Sequence, residues 1–433
     1  MAQVMKKYPS FCCGKKQAYP ETKAGGPLLS NCTVIGNLIF ASGVTARSTD
    51  TGKLEATNIE EQTHAIYENI EQMMELAGSS IKNVVKDMIL FKDLDDYTGF
   101  RKAQLEYFIE HVPILAEDPP CSSIFQPHSL SDPNALVEIE VIGVVDRNKP
   151  GDEVIVFPAI YGGVKFAHPH VSPGHGIFSK SVIVDNLLFC SGMAGLALDT
   201  WSITSETLED QMQISRDKIN KNMEQAGTNM NNIFKVVNLL KRVEEYYRMM
   251  SWDKEYYKQH CTDLAKDPPV HTLIQCNLHL PKHLVETEAF AVVDSNRPGY
   301  DIKSYPLYYG SSREPFARSV SVGGLIFTSC IDAKNPDTGN VELSSPEEQM
   351  KTVLDKVRIA MEEAGGSLDT IAKTTMLIKN WKDYPSFRKV EQEYYREHAP
   401  LLLEEPPATT TIQLSSLTQP KGLIEIEVTG ITK

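Results

Sequence analysis

Apolar and acidic residues alternate strictly at three places along the chain: Leu136-Val137-Glu138-Ile139-Glu140, Leu284-Val285-Glu286-Thr287-Glu288 and Leu423-Ile424-Glu425-Ile426-Glu427. A period of two predicts a β-strand with one buried face. Both carboxylates of each copy are then expected on the opposite, solvated face. Three copies of one pattern mark an internal repeat, which governs every other reading of the chain.

The rest of the sequence falls into the same register. A strap, Tyr8-Pro9-Ser10-Phe11-Cys12-Cys13-Gly14, returns as Phe157-Pro158-Ala159-Ile160-Tyr161-Gly162 and as Tyr305-Pro306-Leu307-Tyr308-Tyr309-Gly310. An apolar hairpin follows in each copy, over 33–45, 182–194 and 320–333. Its second strand ends in Ala41-Ser42-Gly43, Cys190-Ser191-Gly192 or Thr328-Ser329-Cys330. An acidic helix then runs from Glu60 to an Ala77-Gly78 end, with Ile66, Ile70, Met73 and Met74 on one face and Gly78 suited to C′. Its counterparts span 209–227 and 347–365. Next come a strand (84–91, 233–240, 371–378) and a second helix (97–111, 246–260, 384–398). A Pro-Pro turn and two strands, expected to pair antiparallel with each other, complete the unit. The order is ββαβαββ in each of three units, 1–147, 148–296 and 297–433, separated by Pro-Gly turns after Lys149 and Arg297.

Composition narrows the function. Acidic residues outnumber basic ones by 57 to 43, a net charge of −14, and no basic run offers the surface that nucleic acid requires. No segment has the length of a membrane span and the N-terminus lacks an apolar signal core, so a soluble cytoplasmic protein is expected. Eight scattered cysteines without paired spacing are expected to be free thiols.

Lys373-Thr374-Thr375-Met376-Leu377-Ile378-Lys379, with Asp383-Tyr384 and Glu393-Tyr394-Tyr395, resembles the central segment of the reactive-intermediate deaminase (Rid, YjgF-like) family. The Ala-Gly helix ends and final acidic strands fit the same pattern once per unit, as do the Ser-Gly strand ends of the first two units. The resemblance implies an α+β fold: three tandem Rid-like units forming a pseudo-trimer around a central sheet barrel, helices outside, with clefts between units. It also implies hydrolysis of enamines and imines. In that family an arginine after the proline turn grips the substrate carboxylate, and an acid on the final strand positions water. Here Cys121, Val270 and Ala408 occupy the arginine position, whereas the acid is retained as Glu138, Glu286 and Glu425. The lid position falls at Leu29, Phe178 and Phe316.

These residues define the expected sites. Glu286, Glu138 and Glu425 are the candidate catalytic groups, each a general base on water. Across the expected strand pair stand Ser122 and Ser123, His271 and Thr272, and Thr409 and Thr410. The substrate-binding set is His271, Thr272, Phe178, Ser191, Cys121, Ser123, Phe316 and Thr410. His271, on the cleft strand, could take over part of the anchoring as a neutral or cationic imidazole. Cys121 could serve as a nucleophile only beside a base, and otherwise packs as a small hydrophobe. His168-Pro169-His170 with His175 could bind zinc beside Glu286, but Pro and Gly between them suit a solvated loop, and no metal or other cofactor is expected. Tyr161, Tyr308 and Tyr309 in the straps could roof a cleft, but packing between units is the expected role. The reading is a hydrolase of a C–N bond, by enamine or imine deamination or by amide or lactam cleavage, working as a monomeric pseudo-trimer on a small molecule. Self-association beyond that stays an alternative, as does a non-catalytic metabolite-binding or interaction protein on the same scaffold.

Overall fold

The computed structural model describes residues 4–151, 153–197 and 202–433. The periodicities give the expected helices. The long helix of the first unit covers Ile59–Leu76; Asn58 caps it by accepting from the Glu61 amide at 2.8 Å, and Gly78 follows with φ +76°. Leu208–Gln225 and Pro346–Glu363 repeat it with Thr207 and Ser345 as caps. The second helices, Tyr97–His111, Tyr246–His260 and Tyr384–His398, each lead into a short helical turn that the hydrophobic pattern did not reveal.

Each unit spreads one sheet under these helices. In the first, the strap strand Met5–Pro9 pairs antiparallel with Ser30–Ile35, so the strap adds a strand to the expected order. Ser30–Ile35 forms the hairpin with Leu38–Ala41, and Leu38–Ala41 pairs with the acidic strand Val137–Val144. The central strand Val84–Phe91 lies antiparallel to Val137–Val144 and parallel to Cys121–Phe125. The last two strands therefore flank the central one instead of pairing with each other, which corrects the expected partnership of acid and Ser/Thr strand within a unit. The other two units repeat this order.

The acidic strands also correct the expectation of solvated carboxylates. Val137, Ile139 and Val141 face the helices, while Glu138 and Glu140 lie on the inner face, beside a core to which all three units contribute. Glu138 and Glu425 are each only 2% exposed. The second acid of each strand meets a lysine from the central strand of a neighbouring unit: Lys86 with Glu288 at 3.0 Å, Lys235 with Glu427, and Lys373 with Glu140 at 2.7 Å. These pairs surround a cavity of about 70 Å³ closed by Phe40, Phe290 and Phe327. Thr272 donates to Glu427 and Thr410 to Glu140, so both threonines serve these ion pairs and not a substrate cleft.

One hydroxyl clip recurs where units meet. Ser191 Oγ donates to Ser179 O at 2.5 Å and accepts from the Ser122 amide at 2.8 Å. Ser329 does the same with Ala317 O and the His271 amide, and Ser42 with Ser30 O and the Thr409 amide. The serine that follows the second hairpin strand thus joins the first unit to the second, the second to the third, and the third back to the first.

Removing one member of a buried ion pair leaves a desolvated charge. Lys86→Met should cost about 3–5 kcal/mol of stability, read from the urea midpoint, and Lys86→Met/Glu288→Leu should recover most of it. An unchanged midpoint in the single variant would show that the pair does not tie the units together.

Candidate functional site

A cavity of about 450 Å³ opens between the first and second units. Its floor is Glu286 of the second unit and Ser122 and Ile124 of the first. Its walls are Tyr97 and Arg101 from the helix Tyr97–His111, Tyr161, Phe166 and Phe178 from the strap side, and Lys218, His279 and His283 of the second unit. Glu286 therefore shares a cleft with Ser122 of the preceding unit and not with His271. Phe178 lies in the wall at its expected lid position, and Tyr161 faces the cleft as well as packing against Phe166 at 5.3 Å.

The three first acids occupy like positions but have different partners. Seven residues before each lies a loop position held by Ser131, His279 and Thr418. Ser131 Oγ donates to Glu138 at 2.7 Å, and Thr418 Oγ1 donates to Glu425 at 2.5 Å with its amide adding a bond at 3.1 Å. In the second unit His279 stands there, its ring packed 4.2 Å from that of Tyr97. Among the described residues no hydrogen bond reaches the Glu286 carboxylate; the nearest imidazole nitrogen, His283 Nε2, is 4.0 Å from it. Burial first, and the Glu288 charge second, push Glu286 up to about 8. Glu425 rises to about 7, and Glu138 also rises, both chiefly by burial and with their hydroxyl bonds opposing it.

Glycine gives the acid room. A Cβ on Gly192 would come within 1.7 Å of Glu286 Oε1, and one on Gly43 within 2.0 Å of Glu138 Oε1. Lys218 donates to Ala194 O at 2.8 Å, lies 5.8 Å from the Tyr161 ring centre, and is lowered to about 8 by burial against the pull of Glu286. His283 Nε2 is 3.0 Å from Val285 O, so the proton of its neutral ring sits on Nε2; burial lowers its pKa to about 4.

Several expected site residues lie elsewhere. Cys121 is fully buried, its thiol donates to Phe189 O at 3.1 Å, and burial raises its pKa far above the thiol range, which removes both the nucleophile and the cleft-edge readings. Ser191 is the clip described above, and Ser123 Oγ accepts from the Gly192 amide at 2.9 Å. His271 packs 5.5 Å from Phe316 and 6.2 Å from Tyr246, filling the space between the second and third units. Its Nε2 meets Asn238 at 2.9 Å, and burial lowers its pKa to about 3, so a cationic role is excluded. No group of three or more His, Cys, Asp or Glu among the described residues is arranged to hold a metal; His175 lines the cleft alone of its trio. The eight cysteines are free thiols, and no described helix is long and apolar enough to cross a membrane.

Sequence reasoning missed Arg101, Lys218, His279 and the three lysines. The lysines had a signal, since Lys86, Lys235 and Lys373 stand at the same, third place in three mainly apolar strands. His279 had one too, as the histidine replacing a hydroxyl residue in a repeated loop.

Three like α+β units with an acid at each unit boundary define a tandem-repeat protein, with a cavity between the first and second units. The chain belongs to the endoribonuclease L-PSP family, the YjgF/Rid family, whose profile matches residues 22–145, 171–293 and 310–432. A RutC family protein of Pyrococcus abyssi is 32% identical over 114 residues, 26% of this chain and 83% of that protein. The 2-iminobutanoate/2-iminopropanoate deaminase of Escherichia coli K12 is 29% identical over 120 residues, 28% of this chain and 88% of that enzyme. A chorismatase crystal structure aligns with TM-score 0.52 over 82% of this chain and 95% of its own, at 12% identity, a likeness of fold alone.

The raised Glu286 sets a pH dependence. The folded pKa of about 8 exceeds the ordinary 4.5, so the folded chain binds the extra proton between them. Its stabilising contribution is full below about 4.5, falls as pH rises, and is lost above about 8. Carboxyl-observed NMR should show a titration near pH 8 that vanishes in Glu286→Gln and moves down in His279→Thr, which restores the hydroxyl found in the third unit. A Glu286 carboxyl already ionised at pH 6 would refute this.

Proposed function

We propose that the chain hydrolyses a C–N bond of a small imine or enamine in the cleft between its first and second units, with Glu286 as the catalytic acid and base. The observation that carries this is the contrast within the chain: of three like carboxyls, Glu286 lacks the hydroxyl partner and lines an open cavity. The similarity to the Escherichia coli deaminase and the family membership support the reaction class. We further propose that the three units act together as a single-chain pseudo-trimer around a closed sheet barrel, which the cyclic serine clips and Lys–Glu pairs favour. The net charge of −14 favours a small molecule over nucleic acid as the bound partner.

The raised pKa alters the expected role of a base waiting on water. At neutral pH Glu286 carries its proton and first acts as an acid. It gives that proton to the imine nitrogen, or to the enamine carbon, leaving an iminium ion and a carboxylate. The carboxylate takes a proton from water as the water oxygen bonds to the iminium carbon. The reprotonated acid then protonates the amine of the carbinolamine. Ammonia leaves as the C–N bond breaks, and the hydroxyl proton returns to the carboxylate as the ketone forms. Lys218, close enough to act on Glu286 by charge, favours each carboxylate stage. Amide or lactam cleavage demands a stronger nucleophile and is the less favoured form of the reaction.

Ammonia release from imines generated in solution tests the reading. Glu286→Gln should lower kcat/KM about 10²–10⁴-fold with the fold unchanged. Glu138→Gln and Glu425→Gln should keep most of the activity, and wild-type kcat/KM should fall above about pH 8. Full turnover in Glu286→Gln would overturn the assignment, and absence of turnover with retained ligand binding would favour the non-catalytic alternative.

A further inference from the structure

The chain buries three arginine side chains almost completely: Arg101, Arg216 and Arg388. A guanidinium cannot shed its charge at ordinary pH, so each burial demands an anion or a full set of acceptors. Arg216 has Asp253, with two contacts from Nη2 at 2.7 and 2.9 Å. Arg388 has Glu391 at 2.6 Å, one helical turn on. Arg101 holds in the first unit the position of Arg388 in the third, yet the place of Glu391 is taken by a neutral Gln104. The Gln104 oxygen accepts from Arg101 Nη1 at 2.5 Å, and its amide is committed to the Tyr67 hydroxyl at 2.6 Å. Nη1 also approaches Ile177 O at 3.5 Å, while Nε has no hydrogen-bond partner. Among the described residues no carboxylate lies within 4.0 Å of the group; Asp87 acts on it only at longer range.

This guanidinium lines the cavity that Glu286 enters, with its Cζ 5.4 Å from the Tyr97 ring centre; the His279 ring lies 4.2 Å from the same tyrosine. We infer that Arg101 is the anchor for a carboxylate on the molecule bound in this cleft. The inference rests on the proposed reaction for the identity of the remaining part of the ligand. The anchoring group comes from a helix of the first unit, whereas the strand position after the proline turn holds Cys121 and faces the core. A planar fork with unpaired N–H groups suits a carboxylate, which it can meet with two bonds. In the unit three counterpart, Glu391 supplies that carboxylate from within the protein and closes the position to a ligand.

Equilibrium binding of 2-oxobutanoate, its methyl ester and inorganic phosphate to the full chain, by calorimetry or ligand-observed NMR, tests this. The acid should bind, and its ester roughly 10- to 100-fold more weakly, the worth of a charged hydrogen-bonded contact. Arg101→Met, which installs the residue that the second unit carries as Met250, should bring the acid down to the level of the ester. Gln104→Glu should do the same with an unchanged melting temperature, by providing the missing internal carboxylate. Equal binding of acid and ester, no binding of the acid, tighter binding of phosphate, or full acid binding in the Gln104→Glu protein would each overturn the assignment. Turnover retained in Glu286→Gln would instead sink the proposed reaction while leaving the carboxylate site standing.

Discussion

A carboxylate turned to the inside of a sheet must find a cation or a donor there, or else hold its proton. This chain places two on the inner face of each of three strands, and most of its architecture follows from how they are met. The second acid of each strand draws a lysine from a neighbouring unit, so the cost of burying either charge binds the units to one another. A unit on its own would leave both the lysine and the glutamate facing water; docking buries them, and each then meets its partner on the neighbouring unit. The serine clips act in the same direction at the sheet edges, each fixing an amide of one unit to a hydroxyl of the next. Folding of each unit and its docking on the others are therefore coupled through the same few polar groups.

The first acids show what a fused chain gains over identical subunits. Three copies of one gene product must carry the same cleft three times, but here each has changed separately. Between the second and third units Tyr246, His271 and Phe316 fill the space, and Thr418 holds Glu425. At the third-to-first boundary the strap of the first unit packs on the helix Tyr384–His398, where Gln392 donates to the carbonyls of Lys23 and Gly26, and Ser131 holds Glu138. Only at the first-to-second boundary has the restraining hydroxyl been exchanged for histidine. The same boundary has a guanidinium without a carboxylate partner where its counterpart carries an internal salt bridge. Both changes fall at the boundary that holds the open cavity between the first and second units.

The limits of sequence reading follow from the same physics. Helices and central strands were legible because periodicity and capping are local, and their bounds at 84–91, 233–240 and 371–378 coincide with the strands observed. The acid pairs were legible as strands, but their exposure was misjudged, since alternation reveals two faces without saying which of them another unit will cover. Cys121, Ser191, Thr272 and Thr410 look like cleft residues only when motif positions are referred to a unit in isolation. Their hydroxyls and thiol are consumed at boundaries between units. Arg101 escaped notice for the converse reason: a basic residue in a helix looks like a solvated one until its neighbour at the next turn proves neutral.

Chemistry at the cleft turns on the difference between a carboxyl that is buried and one that is merely unpaired. Burial alone would give Glu286 a proton and keep it, which suits an acid but not a group that must also take a proton from water. Lys218 opposes the desolvation, and its own cation is weakened by the same burial, so neither group is far from changing charge near neutral pH. A ligand that carries a carboxylate to Arg101 and an iminium carbon toward Glu286 would place its positive centre beside the acid. That charge favours ionisation of Glu286 at the moment when a base is required. On the proposed reaction the bound intermediate would thus supply the partner that Ser131 and Thr418 supply permanently in the other two units, a partner that an internal donor in place of His279 would make unnecessary.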